Sequence, residues 1–412
     1  MAKVRNRAPR REDRPFHNIK LEYAENSLVR AEASQRVTKE DGHLIRLYIA
    51  ELTANQNISK SRSNKLTYIL IRWRDFIGPF SINTLLELYS GIEQLKKAKK
   101  LDGAPYTQNS LRDFLGALKR FYLWLIENSV STILPKKLRK IKVPKIDTMS
   151  VTAGDLLTRE EVKMVLSACQ SSRDRALISV LYEGGFRIEE IGALQWGQVK
   201  FDEYGLVINV NLKTDWPRYV RLVSSTSYLA AWKADYPCLI DEEGLVFMSY
   251  SHQPITYPGV SAQVKKIAKR AGVTKHIHLH LFRHTRVTHM KEEGYSESTI
   301  KQMLWGNPDS NMLSTYSHTT NDTIDDEVLE KHGLHRPRKY NRKEMAAREC
   351  PFCHQTNGPT HEYCVTCGRP LTEDARVQVS MAVEEIESHP AYKALMGEMK
   401  DRLQSMADTN FS

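Results

Sequence analysis

The sequence predicts a mainly α-helical protein with a small antiparallel sheet, an α+β arrangement that carries a separate cysteine module. Its 412 residues can hold two or three domains, each with its own core. Apolar residues recur at three- and four-residue spacing over most of the first third of the chain, which is typical of amphipathic helices. A strand–turn–strand pattern begins near Gly205, and two C-x-x-C pairs begin at Cys350.

The charge balance indicates a polyanionic partner. The chain has 60 Lys plus Arg against 49 Asp plus Glu, a formal net charge of +11. An excess of this size predicts salt-sensitive binding to nucleic acid. No apolar run approaches the roughly 20 residues of a membrane span, and no apolar core follows the basic N-terminus. We therefore expect a soluble, cytoplasmic, nucleoid-associated protein with no membrane partner and no small-molecule substrate.

Residues 1–20 are basic and are expected to form a flexible arm, which either lies on DNA or is a disordered tail. Residues 21–133 should form a domain of four or five helices. The predicted helices are residues 38–52, 61–76, 83–95 and 107–126.

A basic linker, residues 134–150, follows this domain. Pro135 and Pro144 discourage regular structure, and six cations lie between residues 134 and 145. We expect an extended strap that contacts phosphates; the alternative is a solvated linker.

The second domain covers residues 151–333. Its first predicted helix begins at Thr158, a residue typical of a helix cap. Residues 176–196 predict a helix, a break at Gly184 and Gly185, and a second helix that begins at Arg187. From Gly205 the pattern predicts two strands joined by a turn with Lys213 at its tip. Residues 280–294 predict a helix, and their three-residue spacing places His280 and Arg283 on one face of it.

Five polar residues together fit one reaction, the breaking and rejoining of a DNA strand through a phosphotyrosine. Arg187 and Arg283 suit the charge that gathers on an attacked phosphate. Tyr316 is the candidate nucleophile, because a phenol can form a stable covalent phosphodiester. Lys213 and His280 are the candidate acid and base.

These motifs resemble the tyrosine recombinase, or phage integrase, family over about residues 27–320. The resemblance rests on four ordered motifs. They are Gly185-Phe186-Arg187-Ile188-Glu189-Glu190 with Trp196 after it, the hairpin Lys213, His280-Leu281-Phe282-Arg283, and Tyr316 within Leu313-Ser314-Thr315-Tyr316-Ser317-His318.

The resemblance implies a helical core-binding domain and a catalytic tyrosine recombinase domain. The two arginines would clamp the scissile phosphate, Lys213 would protonate the leaving oxygen, His280 would assist, and Glu190 would act from behind these groups. It implies a DNA strand transferase that forms a 3'-phosphotyrosyl intermediate on double-stranded DNA, needs no cofactor for catalysis, and acts as a tetramer on paired sites. Integration or excision of a mobile element is the expected task.

One position departs from the family pattern, where a histidine or tryptophan usually follows Gly306. Asn307 stands there instead; it can donate a hydrogen bond to phosphate but cannot carry a proton or charge. Trp305 is expected to be a core aromatic, although its indole N–H could serve instead. The departure leaves open a DNA-binding protein that has lost catalysis. A type IB topoisomerase, which relaxes DNA without exchanging partners, shares the same chemistry.

The four cysteines of residues 334–372 predict a structural zinc ribbon, because two C-x-x-C pairs can close a tetrahedral sulfur shell. The predicted ligands are Cys350, Cys353, Cys364 and Cys367. His354 and His361 are expected to be loop residues, although either could substitute as a ligand. The basic residues 335–348 before the ribbon favour DNA contact, and ribbons appended to this core resemble integrases of archaeal type.

Cys169 and Cys238 are expected to be buried thiols. The histidine-rich stretch of residues 275–289 is not expected to bind metal, since neither acidic residues nor cysteines lie among its histidines. Residues 373–412 form an acidic amphipathic tail that Pro390 divides into two helices. This tail should pack on its own protomer or on a neighbouring one.

Overall fold

The structure is a computed structural model that describes residues 16–17, 19–100, 102–148, 152–210, 217–316 and 345–409, without the side chains of 314–316 and 403–409. It divides into two compact units, Met1–Thr152 and Ala153–Ser412. Within the described residues, no helix has both the length and the apolarity needed to cross a bilayer. The predicted arm lies almost wholly outside the described residues.

The first unit is a helical domain. Five longer helices form it: α1 Glu22–Ala33, α2 Lys39–Gln56, α3 Lys60–Trp73, α4 Leu85–Lys97 and α5 Gln108–Glu127. Thr38 and Thr84 begin α2 and α4 with reciprocal capping boxes. Trp73, Phe80 and Phe121 are completely buried in the core between these helices. The four predicted helices are confirmed, and α1 is the fifth.

The buried carboxylate of Asp41 fixes the start of α2 to the turn after α3. Its Oδ2 accepts from Nε of Arg74 at 2.7 Å, and its Oδ1 accepts the backbone N–H of Phe80 at 2.7 Å. Such a carboxylate is stable in the interior because a charge partner and hydrogen bonds replace its lost hydration.

The basic strap is not wholly extended, so this prediction is wrong in part. Pro135 stands in the first turn of a short helix, α6 Pro135–Leu138, where its missing N–H breaks no hydrogen bond. Leu138 and Ile141 are buried in the core of the first unit. All six cations of the segment are exposed, so the segment packs by its apolar residues and turns its charges outward. These cations are Lys136, Lys137, Arg139, Lys140, Lys142 and Lys145.

In the second unit, helices surround a three-stranded antiparallel sheet. The strands are β1 Val199–Asp202, β2 Gly205–Val210 and β3 Arg218–Leu222, in the order β1-β2-β3. Ile208 pairs with Val199 on one side and Val220 on the other. The helices are α7 Arg159–Ser167, α8 Ser172–Glu183, α9 Ile188–Gly192, α10 Thr226–Ala234, α11 Tyr257–Arg270, α12 Leu279–Glu292 and α13 Glu297–Trp305. The predicted helix pair around Gly184 and the predicted strand pair are confirmed; β1 was not predicted.

A cysteine-containing hairpin and two C-terminal helices complete the unit. Its strands are β4 Arg348–Glu349 and β5 Thr356–Asn357, with Arg348 paired to Asn357. The helices Glu373–Ser388 and Pro390–Thr409 confirm the predicted division at Pro390. The mainly α fold with small antiparallel sheets is therefore as predicted. Cys169 is buried, but Cys238 is exposed, so the prediction for Cys238 is wrong.

Candidate functional site

Arg283 joins three of the motifs found in the sequence. It lies on α12, is completely buried, and donates from Nη1 to the carbonyl of Gly185 at 2.6 Å. Its Nη2 donates to the carbonyl of Leu304 at 2.9 Å, and its guanidinium lies 4.9 Å from the centre of the Trp305 ring. One side chain thus connects the turn before Arg187 with the end of α13.

The turn before Arg187 has a shape that requires glycine. Gly185 has a φ of +54°, and a Cβ there would lie 2.4 Å from Cδ2 of Leu304. Arg187 follows as the N-cap of α9 and is half-buried. Close packing of Gly185 on α13 therefore sets the direction in which Arg187 leaves the turn.

Glu190 lies next to Arg187 and contacts it twice. Its Oε2 accepts the backbone N–H of Arg187 at 2.7 Å, and its Oε1 lies 3.2 Å from Nη1 of Arg187. Glu190 also forms an ion pair with Arg218 on β3, which is only 2 % exposed. Burial lowers the pKa of the Arg218 guanidinium, while the charge of Glu190 opposes that shift.

Arg218 was missed by the sequence analysis. Its Nη1 donates to the carbonyls of Met303 at 3.1 Å and Leu304 at 2.7 Å. These acceptors lie more than 80 positions further along the chain. The one local signal was the alternation of β3, whose residues are buried, exposed, buried, half-buried and buried in turn.

Glu183 is a second residue that the sequence analysis missed. It ends α8, directly before the Gly184–Gly185 break, and its carboxylate accepts three consecutive backbone N–H groups. They belong to Val223 at 2.8 Å, Ser224 at 2.9 Å and Ser225 at 2.7 Å. These residues connect β3 to α10, so Glu183 ties the end of the predicted lysine hairpin to the turn before Arg187. An acidic residue before a Gly-Gly break was the available signal.

His280 begins α12 beside the other candidate residues. Although part of the side chain reaches solvent, the packed surroundings of the ring lower its pKa, and His284, Arg283 and Arg187 lower it further by charge repulsion. The rings of His280 and His284 meet edge to face at 4.9 Å. The lowered pKa keeps His280 neutral at pH 7, the form that can accept a proton, but it also makes the ring a weaker base.

Trp305 and Asn307 lie at the end of α13 and just after it. Trp305 is buried with Val287 and Leu313, as expected of a core aromatic. The carboxamide oxygen of Asn307 accepts the backbone N–H of Asp309 at 2.9 Å. Because that oxygen is engaged within its own turn, the amide nitrogen is the group that suits a phosphate oxygen.

Two of the predicted catalytic residues fall wholly or partly outside the described residues. Lys213 lies in residues 211–216, which are outside the described residues, between β2 and β3. Tyr316 ends a 3-10 helix, Asn311–Tyr316, and its side chain is outside the description. Leu313 of that helix packs against Val287 and Met290 of α12, so the chain segment that bears Tyr316 rests on the helix that bears Arg283.

The four cysteines of the predicted ribbon come together. Among the described residues, Cys350, Cys353, Cys364 and Cys367 are the one group that could hold a metal ion, and their sulfur atoms all lie within 4.8 Å of one another. The residue after each pair has a positive φ: +57° at His354 and +71° at Gly368.

Backbone N–H groups around Cys350 and Cys364 lower the pKa of these thiols and so favour the thiolate form, whereas burial and the neighbouring thiols raise the pKa of Cys353. Burial raises the pKa of Cys364, but backbone N–H groups of Cys367 and Thr366 outweigh this and lower it to about 6. Asn357 is completely buried; its Oδ1 accepts the N–H of Val365 at 2.9 Å, and its Nδ2 lies 3.8 Å from Sγ of Cys364. His361 accepts the N–H of Gly358 at 3.1 Å through Nδ1. The cysteine set therefore fits a tetrahedral metal.

The cysteine hairpin packs on the start of α10. The N–H of Gly358 donates to Oγ of Ser227 at 2.9 Å, and the N–H of Thr360 donates to the phenol oxygen of Tyr228 at 3.0 Å. Oγ of Ser224 donates to the carbonyl of Met345 at 3.0 Å. The hairpin therefore contacts the residues that directly follow the segment held by Glu183, and Met345, just before the hairpin, contacts that segment itself.

The chain is similar to known proteins both in sequence and in structure. The family profile described as "Phage integrase family" matches residues 155–322. Tyrosine recombinase XerD of Neisseria meningitidis serogroup A is 30% identical over 230 residues, which cover 53% of this chain and 75% of that protein. Tyrosine recombinase XerC of Xylella fastidiosa is 30% identical over 217 residues, or 51% of this chain and 69% of that one.

Two solved structures share the fold. The Tn1549 transposon integrase in complex with a circular intermediate DNA has a TM-score of 0.54 and 17% identity, covering 70% of this chain and 99% of that one. A lambda integrase dimer bound to a COC' core site has a TM-score of 0.53 and 15% identity, covering 68% and 96%.

Proposed function

The chain belongs to the phage integrase family of tyrosine recombinases, and from this premise we propose that it cleaves and rejoins DNA at specific sites through a covalent bond to Tyr316. The observation that carries the proposal is the position of Arg283. Its guanidinium connects the carbonyl of Gly185, two residues before Arg187, with that of Leu304, three residues before Asn307. Residues that are far apart in sequence, and that suit phosphate, thus share one buried support.

The reaction follows from the groups present. The phenol oxygen of Tyr316 attacks the phosphorus; a P–O bond to tyrosine forms, and the P–O5' bond breaks. His280, neutral at pH 7, accepts the phenol proton, and Lys213 donates a proton to the leaving 5'-oxygen. Arg187 and the Asn307 amide stabilise the charge on the non-bridging oxygens, and the completely buried Arg283 acts from behind them by holding the segments that carry both. The reverse step rejoins the strand without nucleotide energy, because the phosphotyrosine retains the bond energy.

Trapping of the covalent intermediate tests this proposal. A nicked substrate made from DNA flanking the gene lets the cleaved 5'-end diffuse away, so the adduct accumulates. Wild type should form a denaturant-resistant adduct, and Tyr316→Phe should form none. Tyr204→Phe is the matched control, since Tyr204 is 69% exposed on the turn between β1 and β2, and it should react like wild type.

The outcomes separate the alternatives. DNA binding without an adduct in wild type would indicate a DNA-binding protein with an inactive site. An adduct accompanied by relaxation of supercoils, without exchange between two labelled duplexes, would indicate a topoisomerase. Exchange of labelled ends supports a recombinase, and a tetramer on two paired sites is the assembly that we propose for it.

We propose that the first unit and the basic strap bind the phosphate backbone. The six outward-facing cations of residues 136–145 support this, because Lys and Arg near phosphate release counterions and gain affinity. Substitution of Lys136, Lys140 and Lys142 by Gln should reduce the salt dependence of binding by about three counterions if all three contact phosphate. An unchanged slope would place them away from DNA.

We further propose that the cysteine cluster holds one structural Zn²⁺, whose role when bound is to fix the hairpin. Four thiolates with no open coordination position suit structure and not catalysis. Metal analysis of the purified protein should find one zinc per chain, and Cys364→Ser should lose most of it. Cys238→Ser should retain the metal, because Cys238 is exposed and outside the cluster. Full retention in Cys364→Ser would exclude this site.

A further inference from the structure

The carboxylate of Glu190 is shared by two arginines that differ in exposure. Arg187 contacts it through its backbone N–H and Nη1, and Arg218 forms an ion pair with it. The side chain of Arg187 is 35% exposed, whereas that of Arg218 is 2% exposed. Only Arg187 is therefore placed to meet a phosphate, while Arg218 is confined to the interior.

The charge of this cluster depends on Arg218. With both arginines and one carboxylate, the three side chains carry one net positive charge. Without Arg218 they would carry none. A buried carboxylate that loses its partner attracts the nearest remaining cation, because an uncompensated buried charge is costly. That cation is Arg187, which already contacts Glu190, so Glu190 would then compete with phosphate for it.

The surroundings of Arg218 fix its position independently of Glu190. Its Nη1 donates to the carbonyls of Met303 and Leu304, and its guanidinium lies 5.6 Å from the centre of the Phe186 ring. Val210 pairs with Arg218 across the β2–β3 ladder. Because these contacts hold the guanidinium in place, it can neutralise Glu190 whether or not a ligand is present.

We propose that Arg218 is a positioning residue that neutralises Glu190 from the protein interior and thereby leaves the guanidinium of Arg187 available to the scissile phosphate. The inference rests on the proposed function, in which Arg187 binds that phosphate. Its distinctive consequence is a rescue: removing the negative charge of Glu190 should offset the loss of Arg218.

The first test measures Arg187 directly in the full-length protein without DNA. Phenylglyoxal modifies accessible arginines, and mass spectrometry of peptides reports each site. Modification of Arg187 should be several-fold slower in Arg218→Met than in wild type, and it should recover in Arg218→Met/Glu190→Gln. Arg120, exposed in the other unit, is the internal control and should react equally in all variants.

The second test measures adduct formation on the nicked substrate. Arg218→Met should slow it about 100-fold, the usual effect of removing one charge-stabilising donor, without weakening DNA binding. The double variant should recover most of that loss, and Arg218→Lys, which retains the charge, should exceed Arg218→Met. Arg221→Met is the matched control on the same strand, since Arg221 pairs with Asp202 near the surface.

Thermal unfolding of each variant ensures that equal folded fractions are compared. The proposal is overturned if Arg187 reacts equally in wild type and Arg218→Met, or if the double variant is as slow as the single one. If wild type forms no adduct but the reactivity of Arg187 follows the expected order, the proposed function fails and the role of Arg218 stands. If Arg218→Met does not fold, the double variant and Arg218→Lys are compared with wild type instead. Adduct formation close to the wild-type rate in both supports the proposal, and a slow double variant overturns it.

Discussion

The phenol oxygen of Tyr182 lies 2.8 Å from Nδ1 of His289, and both side chains are buried between α8 and α12. Burial lowers the pKa of His289 well below its ordinary value, and the charges of Arg159 and Arg286 lower it further. Burial also raises the pKa of Tyr182 to about 12. The hydrogen bond therefore joins two neutral groups at pH 7.

The stability of the protein should fall in mild acid because of this pair. Below about pH 6.5 the unfolded chain binds a proton at residue 289 that the folded chain does not bind. The free energy of unfolding should therefore decrease as pH falls from that value. His289→Asn keeps a polar partner for Tyr182 that does not titrate, so its stability should depend less on pH in denaturant titrations.

The pKa values of His278, His280 and His361 are lowered too, so part of the pH dependence should remain in that variant. His43→Asn, at an exposed position of α2, is the control and should leave the dependence unchanged. An unaltered pH dependence in His289→Asn would mean that His289 binds a proton equally well in the folded and the unfolded chain.

Asn307 should contribute to strand cleavage as a hydrogen-bond donor. Asn307→Ala removes the amide and should slow adduct formation about 10- to 100-fold, since one hydrogen bond to a charged group contributes about 1.5–3 kcal/mol. Asn307→His restores the family's usual residue and should react at least as fast as wild type. Single-turnover cleavage of the nicked substrate measures both. A wild-type rate in Asn307→Ala would show that the amide does not contact the phosphate.

Gly358→Ala should detach the cysteine hairpin from α10 without removing its metal. A Cβ at residue 358 would lie 2.4 Å from the Tyr228 ring, whereas the four sulfurs are unaffected. Hydrogen–deuterium exchange over residues 223–228 should accelerate while the zinc content stays constant. Gly397→Ala is the control, because nothing lies within 4 Å of its added Cβ. Unchanged exchange in Gly358→Ala would mean that the hairpin contact does not stabilise this segment.

Leu138 should contribute strongly to the stability of the first unit, although it lies within the basic strap. It is completely buried, so Leu138→Ala should lower the free energy of unfolding by about 2–5 kcal/mol through lost burial and the cavity left behind. Exposed Lys137→Ala should change it by less than about 0.5 kcal/mol. Denaturant unfolding of the full chain, followed by tryptophan fluorescence, measures both. Equal stabilities would mean that the strap is not packed in solution.

Local patterns in the sequence were sufficient for most helices and for the order of the motifs. The predicted helix 107–126 differs from α5 Gln108–Glu127 by one residue at each end, because Thr107 is a cap and the apolar spacing is regular. The structure of the basic strap was harder to predict. Its prolines favour irregular structure, but a proline in the first turn is compatible with a helix. Leu138 and Ile141 were the apolar pair that could have indicated its packing on the first unit.

The supports of the candidate site could not be predicted in the same way. Arg218 and Glu183 have polar side chains whose partners are backbone groups of distant segments. A backbone carbonyl or N–H is present at nearly every position, so the sequence cannot distinguish those that act as partners. Arg187 and Glu190, by contrast, are only three residues apart, and their contact follows from local helix geometry.

The carbonyl of Leu304 accepts hydrogen bonds from both Arg218 and Arg283. A mutational scan would classify Leu304 as a core side chain, because every substitution leaves this oxygen in place. Its contribution to the two arginines would be visible only when the backbone itself is altered, for example by an ester in place of the amide between residues 304 and 305, which weakens the carbonyl as an acceptor. This acceptor of two hydrogen bonds is therefore a group that no encoded substitution can remove.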